Sequence, residues 1–142
     1  MPYHIRKVPR SKYDQIRALC DDLLLREDKS SVWKSGGEYW GAYDGEGNLV
    51  GFGGLVRSVR WSDVVYLHSA GVAMSARGNG LQRKLIRARV HWAKAHGFCW
   101  ATTDTVVYNP ISSRNLIRCG FLPYWPRYRW ATDQSCYWSK KL

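Results

Sequence analysis

The sequence predicts a mixed α/β fold, with a mostly antiparallel central sheet of six to seven strands and flanking helices. Three observations favour this class. Strand-like and helix-like stretches follow one another in the order β-α-β-β-β-α-β-α-β-β. No linker, repeat or low-complexity stretch divides the 142 residues, so residues 1–142 are expected to form one domain. The hydrophobic content of 45% is ordinary for a globular protein with a packed core.

The first half of the chain is expected to contain three strands and one long helix. Ile16, Leu19, Leu23 and Leu24 recur at helical spacing and predict a helix that buries one face. The expected elements are a strand at 3–8, the helix at 11–27, one more helical turn or a loop over the acceptor site at 29–37, and strands at 38–43 and 49–60. A bend or bulge in the last of these strands is predicted by Gly51, Gly53 and Gly54.

The second half alternates between strands and helices. An apolar strand at 64–74 leads into a short loop with two glycines, and a helix at about 80–96 begins directly behind them. A β-rich run at 98–107 and a short helix at 110–118 follow. The chain is expected to end in a hairpin with strands at 121–130 and 135–140.

The junction from Val72 to Gln82, with the sequence VAMSARGNGLQ, is the most informative feature of the chain. Gly78 and Gly80 are expected to adopt positive φ values and to let a ligand approach the backbone closely. Unpaired amides at the start of a helix suit a phosphate or a pyrophosphate. Neither of the two common nucleotide-binding patterns, GxxxxGKS/T and GxGxxG, occurs in the chain.

The spacing Arg77-x-x-Gly80, between a strand and a helix, resembles motif A of the GNAT superfamily of acetyl-CoA-dependent N-acetyltransferases, written Gln/Arg-x-x-Gly-x-Gly/Ala. A later stretch, from Asn109-Pro110-Ile111-Ser112-Ser113-Arg114 through Leu116 to Gly120-Phe121, is similar to a second signature of the same family. The motifs cover about residues 48–122, and the element order extends the resemblance to the whole chain. The resemblance implies the GNAT fold, in which two central strands splay apart and hold coenzyme A between them.

The resemblance also implies an activity and a cofactor site. The activity is transfer of an acetyl group from acetyl-CoA to a primary amine, by direct attack in a ternary complex and without a metal. The implied cofactor-binding residues are Val72, Ala73, Met74, Arg77, Gly78, Asn79, Gly80, Leu81, Gln82, Arg83, Asn109 and Ser112.

Some of these residues have a second interpretation from local chemistry. Asn109 is also explained as the N-cap of the helix that begins at Pro110. Ser112 is also explained as a small buried helix residue. Arg83, Lys84 and Arg87 either meet the phosphates of the coenzyme or form a solvated helix face.

Two positions depart from the family pattern. Gln82 stands where motif A has its second Gly or Ala, so its side chain either points outward or donates to phosphate. Leu116 stands where many members carry a Tyr that protonates the leaving thiolate. The candidates for that role are then Tyr108, Tyr124, Ser112 or a water molecule, unless the step needs no dedicated acid.

Several residues are likewise candidates for the general base that removes the amine proton. Many relatives have a Glu on the central strand at the position that Tyr66 holds here, so Tyr66 is a candidate catalytic residue by position. His68 lies on the same strand face, and an imidazole with its ordinary pKa near 6.5 suits proton acceptance at neutral pH. The other interpretation of His68 is a hydrogen-bonded structural residue. Asp104 is a weaker candidate, which either accepts the proton or orients the amine.

Charge and aromatic residues bear on the acceptor. The net charge is +11, and residues 64–142 hold twelve Lys or Arg against two Asp or Glu. This excess is more than one coenzyme needs, so an acidic or nucleic-acid partner is a further expectation. Trp33 and Trp125 are candidate substrate-binding residues, although such aromatics are also explained by packing.

Two alternatives to a small-amine acetyltransferase stay open. One is an acetyltransferase with a nucleic-acid or aminoacyl-tRNA acceptor, and the other is a catalytically silent regulator that binds acyl-CoA or nucleic acid. No apolar run reaches membrane-spanning length and no secretion signal is visible, so the expected location is the cytoplasm. The expected assembly is a monomer or a homodimer.

Overall fold

A seven-stranded mixed sheet forms the centre of the molecule in the computed structural model, which describes residues 2–23 and 37–142. The strands are β1 (His4–Lys7), β2 (Glu38–Tyr43), β3 (Leu49–Arg57), β4 (Val64–Val72), β5 (Trp100–Val106), β6 (Leu122–Tyr124) and β7 (Ser135–Lys141). The helices are α1 (Tyr13–Asp22), α2 (Leu81–Ala95) and α3 (Pro110–Arg118). The sheet order is β1-β2-β3-β4-β5-β7-β6, and β4 with β5 is the one parallel pair in the described sheet. The predicted fold class is confirmed.

Helices cover both faces of the sheet, and alternate strand residues face each of them. Leu55 and Leu67 belong to the core that includes the buried residues of α2, whereas Phe52 belongs to the core that includes those of α1. Because side chains alternate along a strand, Tyr66 and His68 face the α1 side while Leu67 between them faces α2. At this point in β4, polar side chains therefore face α1, while an apolar side chain faces α2.

The glycines of β3 mark an irregularity, as predicted. The register between β3 and β4 shifts between Gly53 and Gly54, so that Gly53 pairs with Ala70 and Gly54 pairs with His68. The additional residue in β4 is Ser69, whose φ of 49° lies in the left-handed region. This bulge lies at the centre of the sheet, beside the pair β4 and β5, where it changes the direction of the β4 side chains.

Several predicted boundaries were wrong. Strand β3 ends at Arg57 rather than at residue 60, and β4 ends at Val72 because Met74 begins a short 3-10 turn. Strand β6 covers three residues of the stretch predicted as 121–130. Pro123 and Pro126 have no N–H for a strand ladder, which is consistent with its early end.

The first helix begins at Tyr13 after a 3-10 turn at Arg10–Lys12 and has Asp22 as its last residue. The continuation of that helix to residue 27 and the substrate-binding role of Trp33 lie outside the described residues. None of the helices described in residues 2–23 and 37–142 combines the length and apolar character required to cross a membrane.

Candidate active site

A cleft opens where β4 and β5 part. The two strands pair over three positions only, from Val64 with Trp100 to Tyr66 with Thr102. Beyond these positions β4 stays paired with β3 and β5 with β7, and the space between β4 and β5 forms a cavity of about 340 Å³ that also reaches α2 and α3. At the point of divergence the Thr103 hydroxyl donates to the Leu67 carbonyl at 2.7 Å and links the two strands.

The N-terminal loop of α2 carries a row of unpaired amides near one end of this cleft. Gly78 and Gly80 have φ values of 83° and 69°, as predicted. The backbone N–H groups of residues 78–83 make no hydrogen bond with any described residue. The Arg83 guanidinium folds back over the loop, since its Nη2 lies 3.3 Å from the position of a Cβ on Gly80. Helix dipole, free amides and a cation together favour an anion at this position.

Other side chains of the loop hold its shape. The Asn79 side-chain amide donates to the Ala76 carbonyl at 2.9 Å. Arg77 Nε donates to the Val72 carbonyl at 3.1 Å, so the predicted motif arginine fastens the loop to the end of β4. Leu81 is 2% exposed and packs in the core, whereas Met74 is 78% exposed. These side chains therefore shape the loop, and its backbone N–H groups at 78–83 stay available.

Gln82 and Ser112 form the wall of the cleft between α2 and α3. The Gln82 side chain donates from Nε2 to the Ser112 hydroxyl at 3.1 Å, and its Oε1 accepts from Asn115 Nδ2 at 2.7 Å. The bulkier residue at this motif position therefore cross-links two helices instead of pointing outward. Asn109 lines the cavity and also accepts from the Ser112 backbone N–H at 3.2 Å, so its capping role is confirmed.

His68 lies in the cleft on the α1 face and is 8% exposed. Its Nδ1 is 2.9 Å from the Ser69 hydroxyl, and its Nε2 has no hydrogen-bond partner among the described residues. Burial, followed by the positive charge of Arg89, lowers the pKa of His68 to about 4, although the backbone of Leu55 acts in the opposite sense. The expectation of an ordinary pKa was wrong, because the sequence does not show that the ring is buried.

Tyr66 and Asp104 form a polar pair on the same face. The Tyr66 hydroxyl donates to Asp104 Oδ1 at 2.7 Å, and the Ser135 hydroxyl donates to the other oxygen at 3.4 Å. Trp130 packs edge-on against Tyr66 with ring centroids 5.1 Å apart. Tyr66 and Asp104 both line the cavity, so a carboxyl group does face the cleft although β4 carries none.

Three other predicted site residues are not brought into the cleft. Tyr108 is 72% exposed and Trp125 is 76% exposed, and neither lines the cavity. The hydroxyl of Tyr124 lies 3.0 Å from Thr102 Oγ1, at the closed end of the strand pair. Their predicted roles stay predictions, without support from the position of their side chains.

Sequence reasoning missed Arg89, which is 2% exposed and lines the cleft from α2. It looked like one more surface cation among twelve basic residues, and its spacing from Leu85 and Ile86 was the available signal of burial. Thr103 and Thr105 were also missed, because their position at the parting of two strands depends on the sheet. No group of three or more His, Cys, Asp or Glu residues in the described parts of the chain could hold a metal ion.

Comparisons with known proteins agree with this geometry. The family model for the acetyltransferase (GNAT) family matches residues 5–121. The chain therefore belongs to the GNAT acetyltransferase family. A search of curated protein sequences found no match.

Solved structures share the fold at low sequence identity. An IAA acetyltransferase from Bacillus cereus has a TM-score of 0.79 and 17% identity, with 99% of this chain and 100% of that chain covered. A GNAT-family acetyltransferase from Staphylococcus aureus has a TM-score of 0.76 and 17% identity, with 99% of both chains covered. One from Streptococcus pneumoniae has a TM-score of 0.77 and 14% identity, covering 99% and 100%. At these identities the likeness establishes the fold and not the substrate.

Proposed function

We propose that this protein transfers an acyl group, in the first instance acetyl, from acyl-coenzyme A to a primary amine. The observation that carries the proposal is the cleft between β4 and β5, which opens beside a loop whose amides at 78–83 have no described partner. A helix start of this kind binds phosphate groups, and a gap between two strands admits an extended chain. Membership of the GNAT family supports the same assignment.

The residues present fit coenzyme A. The free amides of the loop and the Arg83 guanidinium would hold the two linked phosphates. Gln82, Ser112 and Asn109 would line the path of the pantetheine arm along the α3 side of the cleft. When bound, the coenzyme supplies an activated thioester carbonyl. As the new C–N bond forms and the C–S bond breaks, the amine loses one proton and the sulfur gains one.

We assign removal of the amine proton to Asp104 rather than to His68. A His68 pKa of about 4 leaves the ring neutral at neutral pH, whereas a carboxylate also offsets the positive charge that develops on the attacking nitrogen. Asp104 faces the same part of the cleft, and the Tyr66 hydroxyl holds its carboxyl in place at 2.7 Å. His68 would instead offer its unpartnered Nε2 as a hydrogen-bonding group to a ligand.

The leaving sulfur lacks a tyrosine near it. Leu116 lines the cleft and has no donor, and Tyr108 is exposed outside it. The Ser112 hydroxyl accepts from Gln82 and can still donate its own hydrogen. Ser112, or water, is therefore the proposed proton source for the thiolate.

The test compares two glycine variants. Gly78 and Gly47 both have φ of 83°, and a Cβ on either would meet nothing within 4 Å. Gly78→Ala and Gly47→Ala should therefore incur the same backbone strain, about 1 kcal/mol. Calorimetric titration with coenzyme A should show at least tenfold weaker binding for Gly78→Ala and unchanged binding for Gly47→Ala.

The same proteins are then assayed for thiol release from acetyl-CoA over a panel of primary amines. Turnover with the wild type and its loss in Asp104→Asn are the expected results. Absence of coenzyme A binding by the wild type would overturn the proposal. Binding without turnover on any amine, with acetyl-CoA and with longer acyl-CoA donors alike, would favour a catalytically silent binding protein.

A nucleic-acid acceptor is a second candidate, favoured by a basic recess on another part of the surface. The recess has a volume of about 490 Å³ and is lined by Arg87, His91, Arg118 and Lys140, with no acidic residue among its lining. Binding of RNA or DNA that weakens steeply with salt, and is lost in Arg87→Ala/Arg118→Ala, would support this candidate.

A further inference from the structure

Arg89 is a buried cation that lines the cleft from α2. Its side chain extends from α2 to the face of β3 that packs against α2. Gly53 has no side chain on that face, which leaves room for the guanidinium. Nε donates to the Leu85 carbonyl at 3.1 Å and Nη1 donates to the Gly54 carbonyl at 2.8 Å. Nη2 makes no hydrogen bond within residues 2–23 and 37–142. One edge of the guanidinium is thus held in place while the remaining donors lack a partner.

No carboxylate in the described part of the chain neutralises Arg89. The ion pair found there joins Lys7 of β1 and Glu38 of β2. These strands lie at one end of the sheet order, away from the cleft between β4 and β5. Asp104 is engaged by Tyr66 and Ser135 on the opposite face. Burial lowers the pKa of Arg89 to about 10, so the group still carries its charge at neutral pH. A buried charge without a counter-ion is costly, and a neutral residue would serve the two backbone contacts at lower cost.

The position of Arg89 indicates whether it would contact the acyl donor or the amine acceptor. Gly53, like Leu55, faces α2, so the guanidinium lies on the face that also holds Leu116. On the same face, α2 and α3 form the wall of the cleft along which the pantetheine arm is proposed to run. The groups assigned to the amine lie on the α1 face. A negative charge that meets Arg89 would therefore arrive on the acyl group rather than on the amine.

We propose that the acyl group accepted by this cleft ends in a carboxylate, as in a malonyl or succinyl thioester, and that this carboxylate pairs with Arg89. The inference rests on the proposed acyl-coenzyme A function and specifies its donor class. The guanidinium, fixed by two carbonyls, offers its free N–H groups to the carboxylate. An acetyl group has no carboxylate and would leave the charge of Arg89 unpaired.

A consequence follows for His68. The groups that act on its ring are Tyr39 from β2, Tyr66 and Ser69 from β4, and, from the opposite face of the sheet, Arg89 of α2. Arg89 is the cation among them, and its charge contributes to the low pKa of His68. A carboxylate paired with Arg89 would offset that charge, so the pKa of His68 should rise when such a ligand binds.

The test uses two unreactive thioethers of coenzyme A, one with a propyl group and one with a carboxypropyl group. Calorimetry on the wild type should give at least tenfold tighter binding of the carboxypropyl compound. In Arg89→Gln, which removes the charge and keeps a donor only near the position of Nε, the two compounds should bind equally. NMR titration of the His68 ring should show a higher pKa with the carboxypropyl compound than with the propyl compound.

The outcomes separate this inference from the function on which it rests. Equal binding of the two thioethers by the wild type, with coenzyme A still bound, would overturn the inference and leave the transferase proposal intact. Failure to bind coenzyme A at all would overturn both. If Arg89→Gln does not fold, the wild-type comparison and the His68 titration still decide the question.

A carboxylate on the acceptor is tested in parallel. Acetyl-CoA turnover is compared for a pair of amines that differ by one carboxylate, such as glutamate and glutamine. A preference for the acidic amine that disappears in Arg89→Gln, without any donor preference, would assign Arg89 to the acceptor and overturn the donor assignment.

Discussion

Replacing His68 by asparagine should remove a defined part of the acid sensitivity of this protein. The ring is 8% exposed, and its pKa is lowered to about 4 from an ordinary value of 6.5. The unfolded chain therefore takes up a proton at His68 at a higher pH than the folded chain does. As pH falls below about 6.5, protonation stabilises the unfolded state, and the loss of stability continues until pH reaches the folded pKa.

The magnitude follows from the two pKa values. Linkage gives a loss of about 2 kcal/mol by about pH 5 and about 3 kcal/mol by about pH 4, relative to about pH 7.5. Asparagine can keep a polar contact with the Ser69 hydroxyl, 2.9 Å from Nδ1, but does not titrate. The free energy of unfolding of His68→Asn should therefore fall less on acidification than that of the wild type, by these amounts.

The assay is urea denaturation at a series of pH values, with the wild type and the variant compared at each pH. His4→Asn, the same substitution at an exposed position of β1, provides the matched control. If His68→Asn and the wild type lose stability in parallel between about pH 7.5 and about pH 4, the ring is not held neutral by burial. The assignment of proton removal to Asp104 would then lose its main argument.

Three further substitutions probe the site. Gly54→Ala places a methyl group against the His68 ring and should destabilise the fold by about 1–3 kcal/mol, as measured by chemical denaturation. Gln82→Ala removes both hydrogen bonds from α2 to α3 and should weaken coenzyme A binding several-fold in calorimetry, whereas unchanged affinity would show that the cross-link does not shape the site. Tyr66→Phe removes the hydrogen bond to Asp104 and should lower kcat more than it changes KM, with a shifted pH–rate profile; an unaltered profile would argue against a proton-accepting role for that carboxyl.

The shape of the glycine loop before α2 was predictable because its chemistry is local. Positive φ at Gly78 and Gly80 follows from the residue type, and unpaired amides follow from the start of a helix. The cap at Asn109, followed by Pro110, is likewise a property of adjacent residues. Resemblance to a family then supplied the use of such a loop, which local geometry alone does not specify.

The role of Gln82 shows where local inference ends. Its motif position was visible in the sequence, but the direction of its side chain depends on Ser112 and Asn115, about thirty residues further along the chain. The length of the last hairpin was overestimated for a related reason. The aromatic run from 121 to 130 is typical of a strand, yet the described ladder of β6 ends at Tyr124.

The sequence by itself determined the order of the elements, the glycine junction and the family, because each depends on residue type and short-range spacing. Only the tertiary structure decided which polar groups are charged, paired or buried. The low pKa of His68 and the lack of a described counter-ion at Arg89 both arise from contacts across β3, β4 and α2. Desolvation and through-space charge depend on distances between residues that are remote in the chain, so the electrostatics of the cleft could not be read from the order of its residues.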